Sequence, residues 1–220
     1  MPARVVALVL LLLTCAACGG GDDDNGDDGG EAQVTATQSG CRDVQKPEAK
    51  PDGGQKAPEG PLDTSEKPRL TISTNCGDFT IQLDPKLAPD TTASFVKLAK
   101  SGFFDNTIFH RIVPEFVIQG GDPTGSGMGG PGYSTVDRPP ADARYTKGVV
   151  AMAKTAQEAP GTSGSQFFVV TGADVGLPPD YAIIGKVSDG LDVVERIGEL
   201  GDETQQPTQT IVIEKVTVNP

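Results

Sequence analysis

Short stretches in which apolar and polar residues alternate recur along residues 69–220, and this pattern constrains the fold more than any other feature. Residues 69–84 are predicted to form a β-hairpin. Further strands are predicted at about 107–113, 115–120, 148–153, 166–171, 182–188 and 210–218. Only two stretches have helical spacing, Pro89–Gly102 and Gly190–Leu200. Eight short strands without strand–helix alternation indicate an antiparallel barrel or sandwich.

One predicted strand, residues 107–113, carries an arginine among apolar residues. Because successive side chains of a strand point to opposite faces, Phe109 and Arg111 are predicted to share a face, as are Phe116 and Ile118 after the next turn. An arginine in such a strand is unfavourable unless its head group reaches a cleft or an acidic partner. Arg111 is therefore either a functional residue or one half of a structural ion pair.

The charge balance and the single histidine exclude several classes of function. The chain has a net charge of −12, whereas a nucleic-acid partner requires clustered Lys and Arg. His110 has no His or Cys neighbours at ligand spacing, so no zinc centre is predicted. Gly125–Gly130 satisfies a Gly-x-Gly-x-x-Gly string, but Pro131-Gly132 follows it instead of a helix, so nucleotide binding is not predicted.

Residues 1–17 have the features of an export signal. The apolar run Val5–Leu13 is too short to span a membrane, and Ala16 and Ala17 precede Cys18. Small residues before a cysteine resemble the lipobox of bacterial lipoproteins, in which the thiol is acylated. Cys18 is therefore predicted to carry a lipid that anchors the protein to the outer face of the cell membrane. The alternative is a cleaved signal peptide and a soluble secreted or periplasmic protein.

Residues 18–68 are acidic, rich in Gly and Pro, and poor in large apolar side chains, so they are predicted to form a disordered tether before a domain at 69–220. Cys41 lies in this tether and Cys76 lies in the first hairpin. Outside the cytoplasm they could form a disulfide. Two free thiols are the alternative, and the sequence favours neither.

Four motifs resemble the cyclophilins, which are peptidyl-prolyl cis-trans isomerases. The run Phe109–Asp122 resembles the family signature, and the Gly-rich loop after it also fits. Three later strands or hallmarks of the family are resembled by Gly148–Ala153, Gly164–Phe168 and Ile184–Val187. The resemblance covers residues 69–218 in order and with matching spacing.

The resemblance implies a closed eight-stranded antiparallel β-barrel capped by two helices, with the active groove on its outer wall. It implies that Arg111 is the catalytic arginine and that Gln119 orients it. It also assigns substrate contacts to a larger set of residues. These are the walls of a proline pocket (Phe116, Val117, Phe168 and Leu177), a neighbouring groove (Ala153, Lys154 and Gln166), and Tyr181, where animal members usually have His.

The resemblance further implies proline-containing polypeptides as substrates, no cofactor or metal, and by default a monomer. Val117 replaces the more usual Met, and Gly176 occupies a position where the family often has Trp or Phe. These departures leave cyclosporin sensitivity open. They also leave an alternative function open, a cell-surface proline-binding module or chaperone with little turnover.

Overall fold

The computed structural model of the chain describes residues 39–219. The predicted signal segment and Cys18 lie outside the described residues. The described part contains two helices, α1 (Pro89–Lys100) and α2 (Leu191–Gly198), both at sites predicted from helical spacing. Its strands are β1 (Arg69–Thr74), β2 (Gly77–Leu83), β3 (Thr107–Ile108), β4 (Arg111–Val113), β5 (Val117–Gly120), β6 (Thr135–Val136), β7 (Val149–Met152), β8 (Thr162–Ser163), β9 (Phe167–Val170), β10 (Ile183–Asp189) and β11 (Val212–Asn219). None of the described helices is both long and apolar enough to cross a membrane.

The main sheet contains nine strands, in the order β3-β11-β1-β2-β10-β7-β9-β5-β4, and the described neighbours pair antiparallel. The prediction of a closed eight-stranded barrel is therefore wrong in strand number, and closure is not seen in the described residues. β6 and β8 form a separate pair. The difference arises because the stretch predicted as one strand at 107–113 is two strands at opposite ends of the sheet order.

Phe109 and His110 separate β3 from β4 because the chain changes partner there. The amide of Phe109 donates to the carbonyl of Ile211 (3.0 Å), whereas the amide of His110 donates to the carbonyl of Gln119 (3.1 Å). The change of partner interrupts the side-chain alternation. Phe109 is fully buried in the main core, while Arg111 is half-buried on the other face, so the predicted shared face of these two residues is wrong.

β5, β7 and β9 separate two apolar clusters. Ile118 and Phe167 point into the main core, where the rings of Phe95 and Phe109 pack edge-on against Phe167 at 5.2 and 6.0 Å. Their neighbours along the strands point outward and form a second cluster with half-buried side chains around it. The predicted pairing of Phe116 with Ile118 on one face is also wrong, because Phe116 packs on this outer cluster.

Residues 41–62, here called the strap, lie along the surface of the domain. Backbone hydrogen bonds join the amides of Lys50, Gly53 and Gln55 to the carbonyls of Pro123, Gly130 and Pro131, at 2.9 to 3.0 Å. A disulfide joins buried Cys41, at the start of the strap, to Cys76. The strap makes these contacts within the stretch that composition predicts to be a disordered tether. Backbone groups and one covalent bond hold it, and neither requires large apolar side chains.

Candidate active site

One row of residues crosses the outer face of four neighbouring strands. Arg111 on β4 is opposite Gln119 on β5, Gln119 is opposite Phe168 on β9, and Phe168 is opposite Ala151 on β7. Residues that face each other in this way have Cβ atoms about 4.5–5.5 Å apart. The register therefore places a cation, an amide and an aromatic ring side by side on one surface.

Hydrogen bonds fix the orientation of each amide in this region. The carbonyls of Gly127 and Gly129 can only accept, so the Nε2 of Gln166 faces them, at 3.0 Å from each. The Oε1 of Gln166 then accepts from the Nε2 of Gln119 (3.0 Å), and the Oε1 of Gln119 accepts from the Nη1 of Arg111 (3.2 Å). The sequence-predicted Arg111, Gln119 and Gln166 thus form one continuous network.

Gln205 completes the support of the arginine, and sequence reasoning missed it. The Nε of Arg111 donates to the Oε1 of Gln205 at 2.7 Å, and the backbone carbonyl of Gln205 accepts from the amide of Ile112 at 3.1 Å. Within residues 39–219, two of the five guanidinium N–H donors are therefore committed and the other three have no hydrogen-bond partner. Partial burial lowers the pKa of Arg111, but a guanidinium stays charged at neutral pH.

Asp122 organises the Gly-rich loop that carries the two carbonyls. Its carboxylate accepts from the amide (2.7 Å) and the hydroxyl (2.8 Å) of Thr124 and from the amide of Gly127. Burial alone would raise the pKa of Asp122, but these hydrogen bonds outweigh it and lower the pKa. A Cβ at Gly129 would lie 2.3 Å from this carboxylate, so only glycine permits the approach. Asp122 lies within the sequence signature, but the hydrogen bonds by which it organises the loop are seen only in the structure.

The predicted pocket walls meet in the outer apolar cluster. Val117 and Phe168 are buried, at 2% and 4% exposure, and form its floor. Half-buried side chains pack around them. The predicted residues among these are Phe116, Ala153, Leu177 and Tyr181. The structure therefore brings together all the side chains that the resemblance assigns to the proline pocket.

Tyr145 anchors one side of this cluster, and sequence reasoning did not single it out. Its buried hydroxyl donates to the carbonyl of Tyr181 (2.7 Å) and accepts from the amide of the same residue (3.0 Å). Burial raises the pKa of Tyr145 to about 12. The ring of Tyr181 packs edge-on against Phe168 at 5.6 Å, and the Nζ of Lys154 lies 5.5 Å from the centre of the Tyr181 ring. Tyr181 and Lys154 thus line adjoining parts of the same surface.

A groove of about 380 Å³ adjoins the cluster. It is lined by the predicted groove residues Ala153, Lys154 and Gln166 and by Gln119, the glutamine predicted to orient the arginine. The amide of Ala153 donates to the carbonyl of Gln166 at 2.8 Å, and this bond ties two of the walls together. Asp52 of the strap also lines the groove, and sequence reasoning did not place it there. An apolar pocket beside a polar groove suits an extended peptide with a proline ring at one position.

The sequence of residues 69–218 matches the model of a family described as cyclophilin type peptidyl-prolyl cis-trans isomerase/CLD. The chain belongs to this family. It is 40% identical over 168 residues to a probable peptidyl-prolyl cis-trans isomerase A of Mycobacterium bovis, covering 68% of this chain and 91% of that protein. It is 36% identical over 156 residues to a peptidyl-prolyl cis-trans isomerase of Arabidopsis thaliana, covering 69% and 93%.

Solved structures agree with the family assignment. A cyclophilin-type isomerase of Cryptosporidium parvum superposes with a TM-score of 0.65 at 32% identity, covering 70% of this chain and 99% of that one. A second structure of the same protein, in the presence of the dipeptide Ala-Pro, gives a TM-score of 0.64 at 33% identity. The protein is therefore an enzyme, a peptidyl-prolyl cis-trans isomerase with a cyclophilin fold.

Proposed function

We propose that Arg111 accelerates rotation about X-Pro bonds by stabilising the twisted amide. In that transition state the proline nitrogen becomes pyramidal and regains a lone pair, which a positioned N–H donor can bind more strongly than the planar form. The observation that carries the proposal is the hydrogen bonding of the guanidinium. Among the described residues, Gln119 and Gln205 hold it through two different nitrogens, and three of its N–H donors have no protein partner.

The size of the barrier indicates that Arg111 acts together with the pocket and the groove. An X-Pro bond rotates over a barrier of ~18–20 kcal/mol. Raising a rate of ~10⁻² per second to ~10³ per second requires ~7 kcal/mol. A hydrogen bond to a charged group supplies about 1.5–3 kcal/mol. We assign the remainder to Phe116, Val117, Phe168 and Leu177, which would hold the ring, and to Gln119 and Gln166, which would hold the flanking chain.

We also propose that the enzyme acts on exported proteins while it is anchored by a lipid on Cys18. Two features support this context: the export-like sequence of residues 1–17, and the disulfide between Cys41 and Cys76, a bond that persists in oxidising compartments. Mass spectrometry of the mature N-terminus tests the anchor. A diacylglyceryl group on Cys18 is expected, and an unmodified N-terminus created by plain cleavage would overturn the anchor.

A cis/trans exchange assay on a neutral Ala-Pro peptide tests the catalytic proposal. We expect the unmodified protein to accelerate exchange and Arg111→Ala to lose at least nine-tenths of the turnover, consistent with about 1.5–3 kcal/mol for the charged donor. Arg111→Lys is the matched control, because it keeps the charge without the planar fork, and we expect it to recover only part of the activity. Unchanged turnover in Arg111→Ala would refute the role. Peptide binding without acceleration would favour the proline-binding module instead.

A further inference from the structure

The groove beside the proline pocket has one wall that the family match does not include. The match covers residues 69–218, whereas Asp52 lies in the strap and lines the same groove as Gln119 and Gln166. A substrate chain that leaves the pocket past these two glutamines therefore meets a carboxylate from outside the matched region.

The strap is held firmly where it supplies this carboxylate. The Oδ1 of Asp52 accepts from the amide of Gly130 (2.8 Å), and the next residue, Gly53, donates to the carbonyl of Gly130 (2.9 Å). A Cβ at Gly132 would lie 3.1 Å from the Cα of Gly53, so a side chain at Gly132 would crowd the strap backbone. Among the hydrogen bonds of the described residues, none uses the Oδ2 of Asp52, which leaves this oxygen for a ligand.

The other two charged side chains of the groove, Lys154 and Glu158, lie on one loop. The Nζ of Lys154 donates to the backbone carbonyls of Thr155 (3.2 Å) and Glu158 (3.1 Å). The Glu158 carboxylate in turn accepts from the amide of Thr155 at 2.6 Å. Asp52 and Glu158 thus each keep one carboxylate oxygen without a hydrogen bond among the described residues, but the ammonium of Lys154 is bonded to the backbone of the Glu158 loop and is not bonded to Asp52. The three charged side chains of the groove, Asp52, Lys154 and Glu158, sum to one negative charge.

We infer that Asp52 is a specificity-determining residue: it favours substrates with a lysine or arginine near the proline over substrates with an acidic residue there. The inference rests on the proposed isomerase site and adds the class of substrate. An ammonium or guanidinium group would pair with the Oδ2 of Asp52, while a carboxylate would be repelled. Because the groove is open to solvent, the preference is the size expected of an exposed ion pair.

The test compares peptides that differ only in one residue, Ala, Lys or Glu, at each of the three positions before the proline. For the full protein we expect kcat/KM for the best Lys peptide to exceed that for its Glu counterpart two- to fivefold, mostly through KM. Asp52→Asn keeps an acceptor for Gly130 and removes only the charge, and it is expected to reduce the preference by at least half, with Glu158 supplying the remainder. Raising the salt concentration is expected to weaken the preference in the unmodified protein.

Glu59→Gln is the matched control, because it removes an exposed carboxylate from the same strap at a position that does not line the groove. It is expected to keep the preference. An equal Lys-to-Glu ratio in the unmodified protein and Asp52→Asn would overturn the inference while turnover of the Ala peptide upholds the isomerase site. An equal loss on all three peptides would also overturn it, since that would indicate a purely structural Asp52. No turnover of the Ala peptide by the unmodified protein would overturn both proposals.

Discussion

The Nε of Arg111 donates a 2.7 Å hydrogen bond to the Oε1 of Gln205, a residue 94 positions further along the chain. Gln205 adopts a left-handed backbone conformation, with φ of +67°, in a turn where Asp202 accepts from the amides of Thr204 and Gln206. A non-glycine residue in this conformation is strained by about 1–2 kcal/mol. The strain is therefore located at the residue that holds the guanidinium from the side opposite Gln119.

Gln205→Ala tests whether this contact positions Arg111. We expect kcat for an Ala-Pro peptide to fall about three- to tenfold with a smaller change in KM, because a neutral acceptor contributes about 0.5–1.5 kcal/mol. Exchange spectroscopy measures both parameters. Gln205→Gly removes the same acceptor but relieves the left-handed strain, so it is expected to lose similar activity while unfolding at a higher temperature than Gln205→Ala. Full activity in both variants would contradict a positioning role.

Tyr145→Phe is expected to loosen one wall of the pocket. The variant leaves the amide and the carbonyl of Tyr181 without the Tyr145 hydroxyl, and the resulting loss of stability is about 1–3 kcal/mol. Since Tyr181 packs on Phe168, we also expect a higher KM with a smaller change in kcat. Denaturant titration and steady-state kinetics measure the two effects. A variant with unchanged stability and KM would refute the anchoring role.

Tyr145 also predicts a pH dependence in alkaline solution. Burial raises its pKa from 10.0 to about 12, so the folded state keeps the phenol proton after the unfolded state has lost it. The stabilisation is therefore complete below pH 10 and is lost as the pH rises from 10 to about 12. Unfolding free energies measured across this window are expected to fall more steeply for the unmodified protein than for Tyr145→Phe. Parallel curves would show that Tyr145 titrates normally.

His110 predicts the opposite slope in mild acid. Burial lowers its pKa below the ordinary 6.5, Asp122 partly offsets this, and Arg111 and Lys46 add to the decrease. Neither ring nitrogen has a hydrogen-bond partner in the described residues. The unfolded state therefore takes up the proton first, and stability is expected to fall as the pH drops below about 6.5. Unfolding titrations of His110→Gln between pH 7.5 and 5.5 are expected to show a smaller fall, and an equal fall would contradict this assignment.

The disulfide between Cys41 and Cys76 is expected to stabilise the folded protein. It spans a sequence separation of 35, for which the loss of chain entropy in the unfolded state amounts to about 3–4 kcal/mol. The double variant Cys41→Ala/Cys76→Ala is expected to unfold at lower denaturant concentration and to show faster amide exchange at Gly53 and Gln55. Chemical reduction of the unmodified protein serves as the control. Equal stability of the oxidised protein and the double variant would refute the contribution.

Much of the active site follows from the sequence because its residues lie on regular strands. Arg111 lies opposite Gln119, and Gln119 lies opposite Phe168. Each of these residues belongs to a strand motif that is recognisable in the sequence. Helical spacing likewise predicted α1, whose apolar residues Phe95 and Leu98 are buried.

The remaining features depend on contacts that no local pattern encodes. The faces of Phe109 and Phe116 were predicted wrongly because alternation holds only within one strand, and the chain changes partner or turns at these residues. Gln205 is distant in sequence and sits in an irregular turn. The strap is held by backbone hydrogen bonds, which composition does not reveal because every non-proline residue carries the same donor and acceptor.

The link between Cys41 and Cys76 changes how the chain is connected. Residues 41–76 form a covalent ring, so the sulfur bond provides a second route between whatever precedes Cys41 and the sheet. A protease that cuts once within the exposed stretch around Lys56 would open the ring without dividing the molecule. After a cut within this ring, the part of the chain that precedes the cut stays attached to the sheet until the disulfide is also reduced, so separation by this route requires two chemically different events.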